Sequence, residues 1–138
     1  MISSSNTQTE HVRIDELIER YLDHCRIYYG DAKRGTTANI IDSVRELQSK
    51  YGPTDAGNFR PRDLKTVRQL MIDIGLSRTT INYRILKIKA MFRWAVSEEY
   101  VNVDVLQRLA TIDGLKRGRT TANEPEKKSP VAWDDVNA

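Results

Sequence analysis

A chain of 138 residues, 39% apolar and 30% charged, has the composition of one ordinary globular domain with flexible ends, which excludes wholesale disorder. No apolar run approaches the roughly 18 residues of a membrane span, and the opening Met1-Ile-Ser-Ser-Ser-Asn lacks the basic-then-apolar plan of a signal peptide. A single cysteine excludes an internal disulfide framework and suits a reducing compartment, so a cytoplasmic location is expected.

The net charge of +3 names no partner, but its distribution is uneven. Met1 to Phe59 holds seven basic against nine acidic side chains, whereas Arg60 to Arg93 holds nine basic against two acidic. A second basic group, Lys116, Arg117 and Arg119, follows. Segregated positive charge is what a polyanion partner requires, and it is also what a merely solvated basic face would show.

Residues 1–11 are polar and aperiodic and read as a disordered lead-in. Ile14, Leu17, Ile18, Tyr21, Leu22, Cys25, Tyr28 and Tyr29 then recur at spacings of three and four, the stripe of an amphipathic helix that Gly30 stops. A second helix starts at Thr36 or Thr37, either of which can cap it, and carries Ile40, Ile41, Val44, Leu47 and Tyr51 up to Gly52-Pro53. Pro61 opens a third, with Leu64, Val67, Met71 and Ile74 on one face and Gly75 at its end. Ser77 caps a long fourth helix whose buried face is Ile81, Ile85, Ile88, Phe92, Ala95 and Val96. A short fifth runs from about Asn102 to Ala110 around Val105, Leu106 and Leu109. Beyond Gly114 the composition is that of a linker. No stretch alternates with the period of a strand. The expected fold is all-α, a compact bundle of four to five helices spanning residues 12–113, with 114–138 as basic linker and whatever follows it.

Little here can carry catalysis. His11 and His24 are far apart, one cysteine cannot build a thiolate metal site, and neither common phosphate-loop pattern is present. Glu16 with Glu19, or Glu98 with Glu99, read as solvated carboxylates on outer helix faces. No cofactor and no metal are expected, and the chain is not expected to act as an enzyme alone.

The densest chemistry lies in Ser77-Arg-Thr-Thr-Ile-Asn-Tyr-Arg-Ile-Leu-Lys-Ile-Lys89. At about 100° per residue, Tyr83, Lys87 and Trp94 face away from the Ile81 stripe, and Asn82, Lys89 and Arg93 flank it. Amide and guanidinium groups pair with base edges in a groove as wide as a helix. Lysines neutralise phosphates, and the hydroxyls of Thr79 and Thr80 with open first-turn N–H groups offer neutral phosphate contacts. Trp94 reads as a packing residue. The competing reading of the segment is a capped surface helix whose threonines only settle its start.

The stretch Leu76-Ser-Arg-Thr-Thr-Ile-Asn-Tyr-Arg-Ile-Leu-Lys-Ile-Lys-Ala-Met-Phe-Arg-Trp-Ala-Val96 resembles the N-terminal core-binding, SAM-like domain of tyrosine recombinases, the phage-integrase family. Arg60-Pro-Arg-Asp-Leu64 is similar to the start of that family's third helix. Tyr100-Val-Asn-Val-Asp-Val105 lies where the family has Asn-Pro-Val, with Val103 in place of the proline. Lys116-Arg-Gly-Arg119 resembles its basic linker, and Pro130-Val-Ala-Trp-Asp-Asp-Val136 the opening of its catalytic domain. The resemblance spans residues 12 to 136. It implies a lobe that binds the double-stranded core site of recombination, whereas strand exchange through a tyrosine nucleophile belongs to a catalytic half whose residues have no counterparts here. It implies DNA contacts by Lys33, Arg34, Thr36 and Thr37 and by Arg78, Thr79, Thr80, Asn82, Tyr83, Arg84 and Lys87, with Lys89 and Arg93 as flanking candidates. Lys116, Arg117 and Arg119 would follow the backbone. Other recombinase protomers would be partners of the parent protein, the isolated domain would be monomeric, and no membrane partner is implied. Two other functions remain open on the residues alone: a helix-turn-helix transcriptional regulator, and a SAM-like protein-interaction module.

Overall fold

The computed structural model describes residues 11–30 and 35–125. They form an all-α bundle: α1 (Ile14–Tyr29), α2 (Thr36–Ser43), α3 (Arg45–Tyr51), a 3-10 turn (Ala56–Asn58), α4 (Pro61–Asp73), α5 (Arg78–Ser97) and α6 (Val103–Leu109). No strand occurs among the described residues, only two isolated backbone bridges, Arg13 with Asp55 and Ser77 with Asn123. No helix among them is long and apolar enough to cross a membrane.

The helix starts follow their local chemistry. Glu16 accepts the Arg13 backbone N–H at 3.0 Å, and Asp63 accepts that of Arg60 at 3.0 Å, so two otherwise open donors at helix starts are satisfied by carboxylates favoured there by the helix dipole. Ser77 Oγ accepts from the Thr80 N–H, the expected cap. Neither Thr36 nor Thr37 caps α2. Gly35 occupies that position at φ +86, and Thr37 is buried, its hydroxyl shared between the carbonyls of Cys25 and Gly30 at 3.3 Å each. The second helix also breaks in two, because Val44 takes φ −99, ψ 4 between α2 and α3.

α5 is the central element and packs against α1, α2, α4 and α6. Its Ile81, Ile85, Ile88, Met91, Phe92 and Ala95 are buried. Phe92 stacks on Phe59, with centroids 5.2 Å apart and planes 11° apart, and Phe59 meets Tyr51 edge-on. Trp94 packs against Tyr21, His24 and Tyr100, the structural role read for it. Three expected core positions lie outside. Tyr28 (72% exposed) and Tyr29 (51%) reach past the last turn that α1 buries, and Ile74 (59%) falls on the α4 C-cap, where the helical period no longer holds it inward. The lead-in reading falls on residues 1–10, outside the described residues, and on His11, which lies 3.2 Å from Asp55. The stretch 130–136, read as the opening of a further domain, also lies outside the described residues.

Burial within α1 has a consequence at high pH. Desolvation raises the Tyr21 phenol well above its ordinary value, with adjacent Cys25 adding to the shift, and burial raises the Cys25 thiol as well. A folded-state pKa raised above the unfolded one contributes stability that is complete below the unfolded value and is lost as pH rises toward the folded one. Denaturant midpoints should therefore hold steady to about pH 8.5, then fall through the ordinary tyrosine range near pH 10. Tyr21→Phe should flatten the upper part of that fall, and equal slopes for the two proteins would refute this account.

Candidate nucleic-acid interface

The helix with the densest polar chemistry, α5, holds Arg78, Arg84, Lys87, Lys89 and Arg93 and no carboxylate. The tertiary structure gives these five cations different fates. Arg78 is 19% exposed, and its Nε donates to both Glu124 carboxylate oxygens at 3.1 and 2.9 Å. Arg84 is 17% exposed, donates to the Asp42 carbonyl at 3.4 Å and faces Glu46 Oε1 at 4.0 Å. That carboxylate oxygen is buried and has no hydrogen-bond partner among the described residues, so the two meet as charges only. Arg78 and Arg84 were expected to face a groove, and both instead neutralise carboxylates that long-range packing brings to them.

Asn82 is likewise engaged. Its Nδ2 donates to the Leu115 carbonyl at 3.1 Å, and its Oδ1 accepts the Leu115 N–H at 2.8 Å. This is the two-way pairing an amide would offer a base edge, satisfied here by backbone. The approach depends on Gly114, where a Cβ would sit 3.3 Å from the Asn82 amide. Of the open first-turn N–H groups expected at this helix start, that of Arg78 donates to the Asn123 carbonyl at 2.6 Å. The Asn123 side chain in turn donates to the Gly75 carbonyl at 3.0 Å. Residues 112–124, which from Gly114 onward read as linker by composition, thus lie against the bundle and cover the start of α5, with Ile112 and Ala122 buried.

What stays outward on α5 is Thr79, Tyr83, Leu86, Arg93 and, at its last position, Ser97, all exposed, with half-buried Lys87 beside Tyr83. Lys87 Nζ sits 5.1 Å above the Tyr83 ring, a cation–π contact that holds the ammonium on the outer face. Thr80 is half-buried, accepting from Ser77 Oγ at 3.0 Å. Thr36 is half-buried, Thr37 is buried and unable to reach a ligand, and Lys33 and Arg34 lie outside the described residues.

Lys116, Arg117 and Arg119 are exposed. Their composition marks a linker, but nothing in it points to the neighbours they meet. Lys65 and Arg68 of α4 share a surface cleft of about 390 Å³ with Lys116 and Arg119. Arg68 donates to the Asp113 carbonyl at 2.9 Å, and Lys89 donates to the Ile112 carbonyl at 2.5 Å. Burial lowers the pKa of both cations, and Arg68 lowers that of Lys89 further while Asp113 opposes it. The signal in the sequence that could have found Lys65 and Arg68 is the basic excess from Arg60 to Arg93, within which one turn of helix separates the two. Among the described residues no cluster of His, Cys, Asp and Glu could hold a metal ion.

Comparison with protein-family models, with curated proteins and with solved structures finds no match for this chain.

Proposed function

We propose that this chain binds double-stranded DNA, as the core-binding, SAM-like lobe of a tyrosine recombinase, and carries no strand-exchange chemistry itself. The observation that supports the reading is the outer face of α5: a helix of 20 residues without a carboxylate, presenting Thr79, Tyr83, Lys87 and Arg93 outside any ion pair among the described residues. Such a face neutralises phosphates through its cations and adds hydroxyl contacts, and an exposed aromatic ring next to an ammonium suits a groove wall. Arg78 and Arg84 serve the fold in this reading and are poor probes of binding, because their removal would leave Glu124 and Glu46 without their counter-charges.

A gel-shift titration of duplex DNA over a range of salt concentrations tests the proposal. Lys87→Ala with Arg93→Ala should weaken binding across all sequences, and the slope of log K against log salt should shrink by roughly 0.9 for each phosphate that is no longer neutralised. Identical affinity and slope in wild type and double variant would remove the assignment to α5.

A further inference from the structure

We infer that the cleft between α4 and residues 112–119 is a second phosphate site, one that takes a backbone phosphate of duplex DNA apart from the α5 face. Lys65 and Arg68 stand on one wall, and Lys116 and Arg119 on the other. The second wall is a turn closed by the Arg119 N–H on the Lys116 carbonyl at 3.0 Å, with Gly118 at φ +77, and two of its three cations, Lys116 and Arg119, line the cleft.

The electrostatics call for an anion. Arg68 and Lys89, both half-buried, anchor the loop by donating to successive backbone carbonyls, which are neutral acceptors, and the Asp113 carboxylate is the one counter-charge beside Lys89 among the described residues. Asp113 is the one carboxylate among the described residues that lines the cleft, against four cations. Arg68 uses one of five guanidinium N–H donors on the loop, which leaves others for a ligand. Lys65, Lys116 and Arg119 are exposed and form no ion pair among the described residues. A phosphodiester oxygen supplies the missing negative charge and is small enough for a surface cleft of about 390 Å³. The DNA origin of that phosphate rests on the function proposed above, whereas the cleft's affinity for a phosphate group does not.

The test compares the full chain with two charge-matched variants: Lys65→Ala/Lys116→Ala/Arg119→Ala in the cleft, and Arg26→Ala/Arg45→Ala/Lys50→Ala on α1 and α3. Circular dichroism establishes that both fold. The cleft variant should bind duplex about tenfold or more weakly, and its salt slope should fall by roughly 0.9 for each phosphate released, while the control changes far less. Equal weakening in both, or none in the cleft variant, overturns the site; if Lys87 and Arg93 still matter, the DNA reading survives that failure. Pyrophosphate titrated against the Gly114 and Leu115 amide resonances separates the two sources. Shifts that vanish in the cleft variant, with no duplex retained by wild type, keep a phosphate site but overturn its assignment to DNA. No response to either ligand overturns both proposals.

Discussion

Phe92→Ala is expected to destabilise the fold by about 3–5 kcal/mol, a large part of the roughly 5–15 kcal/mol that holds a typical domain together. Phe92 is fully buried on α5, the helix that touches α1, α2, α4 and α6, and its ring lies parallel to Phe59. Truncation removes the transfer free energy of a whole ring and leaves a cavity at the meeting point of several helices, which cannot collapse without pulling those helices off their other neighbours. It also breaks an aromatic series that runs through Phe59 to Tyr51, so the missing stacking adds to the missing burial. Thermal unfolding followed by far-ultraviolet circular dichroism should show a midpoint lower by about 10–20 °C. A change worth less than about 1 kcal/mol would mean that α5 is not the hub of the core.

Asn82→Ala should cost about 2 kcal/mol and, more tellingly, free one segment ahead of the rest. Each of the two hydrogen bonds contributes about 1 kcal/mol net, and the Leu115 N–H and carbonyl are left half-buried without their partner. The other ties over residues 112–124 are the Lys89 and Arg68 donations, the Asn123 bonds and the Arg78–Glu124 pair. They flank the Asn82 pairing in sequence, so its removal should loosen the segment without unfolding α1 to α4. Hydrogen exchange should report faster exchange at Leu115 and at Arg78, whose N–H is held by Asn123, with unchanged protection at Leu64 and Val67. Uniform acceleration across the chain would show that Asn82 supports the global fold instead. An increase in DNA affinity for this variant would further mean that residues 112–124 shield part of the α5 start.

The helices were legible in the sequence because their causes are local. Ser77 caps, Gly75 at φ +92 ends the preceding turn, Pro61 sits in the first turn of α4, and Ile81, Ile85, Ile88 and Phe92 repeat at the helical period. Each of these acts within one or two turns of chain, so residue order alone was enough to determine an all-α bundle and most of its buried face. The α2–α3 break at Val44 was not legible, since an uninterrupted apolar period reads the same whether or not the backbone bends between two turns.

The candidate site followed a different rule. Periodicity told which side of α5 is apolar but not what would arrive against its other sides. Glu124 meets Arg78 across 46 residues, Leu115 meets Asn82 across 33, and Asp113 meets Arg68 across 45. Partners so distant are chosen by how the helices pack, and a charge or an amide exposed in isolation is consumed once packing brings it a counter-charge or an open backbone group. The sequence therefore determined that positive charge gathers on this part of the chain and that the chain is helical. Only the tertiary structure decided that Arg78, Asn82 and Arg84 meet partners within the fold, and that Lys65 and Arg68 stand across a cleft from Lys116 and Arg119, because what a side chain can still bind depends on its neighbours in space.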